Sequence, residues 1–111
     1  MSKLERYILD TYEGIRTLTC RMAETAARGE WRQLEQLDDA CQELFRELPH
    51  WDHGQPGCAE YQSRKASLIQ AILDHDARIR EYVEPQLTDL RYLLGASAQA
   101  RRVDKLYGGA A

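Results

Sequence analysis

Apolar residues recur along this chain at steps of three, four and seven, in three separate stretches. Leu4, Ile8, Ile15, Leu18, Met22 and Ala26 form the first. Trp31, Leu34, Leu37, Cys41, Leu44 and Leu48 form the second, and Leu68, Ile72, Ile79, Val83, Leu87, Leu90 and Leu94 the third. Such steps place side chains on one face of a helix, whereas a strand would alternate. The expected fold is all-α: an antiparallel three-helix bundle with one long third helix and a short C-terminal fourth helix docked on it.

Punctuation residues set the boundaries. Ser2-Lys3-Leu4-Glu5 has the form of a capping box, with the Ser2 hydroxyl and the Glu5 carboxylate each bonding the other's backbone N–H. The first helix should run from there to about Arg28, because Gly29 suits the left-handed conformation just past a helix end. The second should start near Glu30 or Trp31 and stop at Pro49. Its short connection to the first makes the two a hairpin. Residues 49–58 hold two prolines and two glycines and read as the one clear loop, with Trp51 folding back over the bundle end.

The third helix should run from Ala59 to Leu94. Its apolar stripe keeps phase across Pro85, so that proline predicts a kink rather than an end. Asp74 with Arg78 and Asp76 with Arg80 are spaced for ion pairs one turn apart. Ile69 and Leu73 flank Leu68 and Ile72, which widens this stripe and implies contact with two neighbours, or with one neighbour and a partner. Gly95-Ala96-Ser97 then breaks the pattern. A short amphipathic piece follows, with Val103, Leu106 and Tyr107 on one side. A helix of about ten residues is marginal alone in water and must dock to be ordered. The organisation expected is a helical domain over residues 1–96 and a lid over residues 97–111, the lid resting on Val83, Leu87, Leu90 and Leu94.

Composition narrows the function classes. The 111 residues fit one domain. A net charge of −3 argues against nucleic acid, which needs clustered Lys and Arg. Arg101, Arg102 and Lys105 form the one basic cluster and read as a solvated helix end. No apolar run approaches the ~20 residues of a membrane span. Three cysteines without an export signal point to the cytoplasm.

Chemistry-bearing clusters are sparse. His50, His53 and Cys58 are metal-ligand types, but a fourth ligand is missing and the spacing fits no tight finger, so no metal is expected. Asp38 and Asp39 are adjacent and Asp74 and Asp76 diverge, so neither pair can act as acid and base across one bond. No phosphate loop, nucleophile elbow or zinc-protease motif is present. The expectation is a protein that acts by surface contact, with no catalytic residue and no cofactor. A wide uncovered stripe can take a partner chain or a second copy, so a homodimer stays among the expected assemblies.

The chain resembles the flagellar export chaperone family FliT. The resemblance lies in Leu4-Glu5-Arg6-Tyr7-Ile8-Leu9-Asp10-Thr11-Tyr12-Glu13, in Met22-Ala23, and in Ala26-Ala27-Arg28-Gly29-Glu30-Trp31 with Leu34 after it. It continues in Ile72-Leu73-Asp74-His75-Asp76-Ala77-Arg78-Ile79-Arg80, in Glu84-Pro85, in Leu87-Thr88-Asp89-Leu90, and in Tyr107 near the C-terminus. It implies a cytoplasmic helical chaperone that binds the filament-cap protein before type III export and prevents its premature assembly. It implies contacts with the export apparatus and, in some members, sequestration of a flagellar transcription activator. It also implies a C-terminal helix that covers the partner site. Carried onto this chain, the partner surface would be Val83, Leu87, Leu90 and Leu94 with Ile69 and Leu73, and the lid Val103, Leu106 and Tyr107. An anti-activator, or a bundle with another protein partner, is the alternative reading of the same surface.

Overall fold

The computed structural model describes residues 1–51 and 57–94, apart from the side chains of residues 49–51 and 94. The described chain is all-helical: α1 (Lys3–Ala27), α2 (Trp31–Trp51) and α3 (Ala59–Leu94). The expected fourth helix, with Val103, Leu106 and Tyr107, lies outside the described residues, as do the side chains of His50, Trp51 and His53.

Local chemistry explains the helix ends. The Glu5 N–H donates to Ser2 Oγ at 3.0 Å, and the Ser2 N–H donates to Glu5 Oε1 at 3.0 Å. Both otherwise orphaned donors at the start of α1 are thereby satisfied. At the other end Gly29 adopts φ 70°. Its N–H donates to the Ala26 carbonyl at 3.0 Å, and the Glu30 N–H donates to the Thr25 carbonyl at 3.1 Å. These are the paired bonds of a Schellman turn, which ends a helix and turns the chain back. The Leu34 N–H then donates to the Glu30 carbonyl at 3.0 Å and opens α2. Arg28 bridges the turn through an ion pair with Glu30.

Two expectations need correction here. Pro49 does not stop α2, which continues to Trp51. A proline removes only one donor and crowds the carbonyl four residues back, and in a final turn a few residues can follow at modest cost. Nor does Asp74 pair with Arg78 among the described residues. Its Oδ1 accepts from Gln70 Nε2 at 3.0 Å instead, one turn in the other direction. Asp76 does take Arg80 Nε at 2.9 Å. α3 spans Ala59–Leu94, the expected bounds, and remains helical through Pro85.

The start of α3 uses an unusual cap. Cys58 Sγ accepts the Tyr61 N–H at 3.4 Å, and the Gln62 N–H donates to the Cys58 carbonyl at 3.0 Å. The thiol occupies the place that a serine or aspartate oxygen usually fills.

α1 is the helix with two neighbours. It packs against both α2 and α3. Its partners step backwards along α2: the Tyr7 hydroxyl donates to Glu47 Oε2 at 3.3 Å, and Gly14 lies against Leu44. They step forwards along α3: Lys65 Nζ stands 5.8 Å from the centre of the Tyr12 ring, and Thr19 Oγ1 lies 3.0 Å from His75 Nδ1. Burial follows from this position. Ile15, Met22, Ala23 and Ala26 of α1 join Leu34, Leu37, Cys41 and Leu48 of α2 and Ile72, Ile79, Val83 and Leu87 of α3 in one apolar cluster. Ile8, Leu9, Tyr61 and Leu68 form a second at the end where α1 and α3 begin.

Three buried threonines widen the packed surface of α1. Thr11 Oγ1 donates to the Tyr7 carbonyl at 3.0 Å, Thr19 Oγ1 to the Arg16 carbonyl at 3.0 Å, and Thr25 Oγ1 to the Arg21 carbonyl at 2.7 Å. Each hydroxyl is satisfied by its own helix, so its methyl group can face a neighbour without a stranded donor. Thr19 has one hydroxyl proton, used on Arg16, so its oxygen is free to accept from His75 Nδ1–H.

Candidate partner-binding groove

α2 and α3 both lean on α1 but not on each other. Among the described residues no Cα of α2 lies within 8 Å of a Cα of α3. Packed helix axes normally approach to 8–10 Å, so the seam between these two is open. Its floor is α1. Two depressions follow one another along it.

The first holds about 420 Å³ and is lined by Tyr12, Phe45, Leu48, Ile69, Ile72 and Leu73. Its lining is almost wholly carbon. Phe45 and Leu73 stand on its opposite lips, 38% and 56% exposed. The second holds about 280 Å³, with Met22, Leu34, Ile79, Val83 and Leu87 inside and Asp38, Gln42, Asp76, Arg80 and Glu84 around the rim. Gln42 lies one turn before Phe45 on α2, and Asp76 one turn after Leu73 on the oppositely running α3, so the two depressions are stretches of one gutter. From Ile69 to Leu87 it runs about 27 Å at 1.5 Å per residue.

The residues singled out in the sequence fall on this gutter unevenly. Ile69 is half-buried and Leu73 exposed, both in the apolar depression. Val83 and Leu87 line the second depression and are buried, each 5% exposed. They belong to the same apolar cluster as Met22 and Leu34. Leu90 is half-buried beyond the gutter. The side chain of Leu94 lies outside the described residues. Sequence reasoning missed Phe45 and Tyr12. Phe45 sits one residue beyond Leu44 and would have been found by asking which α2 residues flank the stripe on the α3 side. Tyr92 and Leu93, 88% and 77% exposed at the end of α3, were also not anticipated.

Chemistry is muted along the seam. Among the described residues no group of three or more His, Cys, Asp or Glu is placed to hold a metal. Cys41 sits under the α2 side of the gutter, and its thiol is pushed up to about 11, mainly by burial and then by the charge of Asp38. That is the behaviour of an inert core thiol. At the end where α1 and α3 begin, the Glu5 carboxyl is held below its usual range, chiefly by the Ser2 backbone N–H, with the Cys58 N–H contributing. The Tyr7 phenol is raised by the neighbouring Glu47 carboxylate.

Fold and groove together define a small all-helical protein with an open, largely apolar seam; among its described residues, no helix is long and apolar enough to cross a membrane. The sequence pattern of the family described as flagellar protein FliT matches residues 9–109. The chain therefore belongs to the FliT family. It is similar to the flagellar protein FliT of Photorhabdus laumondii subsp. laumondii, 21% identical over 101 residues that cover 91% of this chain and 81% of that protein. No solved structure matches the chain.

Proposed function

We propose that this FliT-family protein is a cytoplasmic export chaperone that holds the flagellar filament-cap protein and prevents its premature assembly before type III export. The observation that carries the reading is the open seam between α2 and α3. Two helices that lean on α1 but not on each other leave a gutter with an apolar floor and a charged rim, the polarity that an amphipathic helix matches. The client's C-terminal helical segment would lay apolar side chains against Phe45, Leu73 and Ile69, and would reach Val83, Leu87 and Leu90 further along. The three helices would form an antiparallel bundle, and residues 97–111 would form a short fourth helix resting on this surface. Val103, Leu106 and Tyr107 would be the contacts a client displaces. Sequestration of a flagellar transcription activator would use the same surface.

Calorimetry with the C-terminal segment of the same organism's filament-cap protein tests this, with and without residues 97–111. Binding that tightens after truncation supports both chaperone and lid. Binding that is unchanged or weaker rejects the lid. No binding by either form rejects this client and leaves the activator as the next partner to assay.

A further inference from the structure

The gutter is chemically lopsided. Its first depression, between Phe45 and Leu73, has an apolar lining with no ionisable side chain but the Tyr12 phenol. Its second carries three carboxylates, Asp38, Asp76 and Glu84, against one guanidinium, Arg80, a net of −2. Arg80 is already committed, since its Nε donates to Asp76 Oδ2 at 2.9 Å. Among the described residues Asp38 and Glu84 form no ion pair. They stand on opposite walls, one on α2 and one on α3, over the apolar floor of Met22, Leu34, Ile79 and Leu87. An occupant with its own acidic residues there would meet like charge from both sides.

From this we infer that the gutter selects a polarised amphipathic helix of about 18 residues, the length that spans about 27 Å. Its apolar anchors sit between Phe45 and Leu73. Its Lys or Arg residues sit between Asp38 and Glu84. The inference rests on the groove being the partner site and adds which class of helix it accepts and in which direction. Helix direction follows from the charges, because reversing the occupant would place its cations over Tyr12, Ile69 and Ile72, where there is no anion.

The probes are two synthetic 18-residue amphipathic peptides with the same apolar face, one with Lys and Arg at one end and the other with Glu there. Each is titrated into the full chain at low and at physiological salt. The basic peptide should bind about tenfold more tightly, since two rim ion pairs are each worth up to about 1 kcal/mol. That advantage should shrink with added salt. D38N/E84Q should abolish the preference and D38K/E84K should reverse it, with circular dichroism melts confirming that both variants fold. A nitroxide on the basic end should broaden the methyl signals of Leu34 and Leu87 and spare those of Leu73. Equal affinities, a preference that survives D38K/E84K, or broadening at Leu73 instead would each overturn the assignment. Binding of neither peptide, with a dimer that D38K/E84K dissociates, would overturn it in favour of a second copy of this chain. The filament-cap segment separates the two proposals. If it binds and ignores both variants, the charge assignment fails and the chaperone reading stands. If it fails to bind while the peptides behave as stated, the chaperone reading fails and the selectivity stands.

Discussion

Gly57 lies so close to Glu5 that a β-carbon on it would stand 2.6 Å from Glu5 Oε2, and 2.6 Å from Tyr61 Cδ1 as well. The same glycine has φ 60°, in the left-handed region. This contact ties the start of α1 to the start of α3, and only the absence of a side chain permits it. Gly57→Ala should therefore lose about 2–3 kcal/mol, the left-handed strain plus the overlap. Gly29→Ala provides the comparison. Its φ is 70° but nothing lies within 4 Å, so only the backbone strain of about 1 kcal/mol should appear. Urea unfolding of the two variants measures the difference. Equal losses would mean that Glu5 and Tyr61 swing aside freely.

Glu5 also gives the fold an acid-sensitive joint. Its carboxyl titrates below the ordinary 4.5, held there first by the Ser2 backbone N–H and also by the Ser2 hydroxyl and the Cys58 N–H. A folded value below the unfolded one adds stability above the unfolded pKa, and that contribution disappears as pH falls through the folded value. Glu5→Gln keeps a capping side chain but removes the charge. The variant should be less stable than the parent at neutral pH, and the gap should close as pH drops below about 4.5. Thermal melts of both proteins across that range decide it. A gap independent of pH would mean that the carboxylate charge contributes nothing.

How much of this was legible in the sequence depends on the range of the interaction. Helix ends are local events. Ser2 with Glu5, Gly29 after Arg28, and the phase of the α3 stripe across Pro85 all announced themselves within one or two turns, and α3 fell on Ala59–Leu94 as read. Which helix sits between the others is a non-local fact. The wide stripe of α3 left open two neighbours, or one neighbour and a partner; among the described residues α3 packs on α1 alone, and α1 is the helix with two neighbours. Its packed surface is widened by Thr11, Thr19 and Thr25, whose burial depends on hydroxyl bonds that hydropathy does not register. The groove inherits that blind spot. Leu73 and Ile69 were visible as extra apolar positions, but Phe45 becomes part of a site only once α2 and α3 are known to stand apart. Cys58 shows the same limit at short range, since nothing in the neighbouring sequence marks its thiol as the group that caps α3.

The three thiols should separate cleanly by reactivity. Cys58 is exposed, Cys20 half-buried and Cys41 buried. Burial also pushes the Cys41 thiol from 9.0 up to about 11, so near pH 8 it presents neither access nor thiolate. A disulfide reagent should label Cys58 fastest, Cys20 more slowly, and Cys41 only after unfolding. The raised value has a consequence for stability. The folded state prefers the protonated thiol, so the contribution is complete below about 9 and is lost as pH rises through about 11. Cys41→Ala should remove that alkaline step while costing core packing at neutral pH. Rapid labelling of Cys41 in the native protein would show that α2 opens locally.

Leu73 and Leu87 lie along the same gutter, yet substitution should separate binding from folding. Leu73 is 56% exposed on the lip, whereas Leu87 is 5% exposed in the cluster with Met22, Leu34 and Val83. Leu87→Ala leaves a cavity beneath the seam and should lose about 2–4 kcal/mol of stability. Leu73→Glu puts its charge in water and should stay within about 0.5 kcal/mol of the parent. Binding should respond in the opposite order. A carboxylate at position 73 faces Phe45 across an apolar depression, where an occupant's anchor would have to be desolvated against it. An affinity loss of about tenfold or more is expected for Leu73→Glu, in the range of a disrupted central contact. Chemical unfolding and titration with the filament-cap segment give the two readouts on the same preparations. If Leu73→Glu binds as tightly as the parent, the gutter between Phe45 and Leu73 is not where the partner lies, and the exposed end of α3 at Tyr92 and Leu93 becomes the surface to test next.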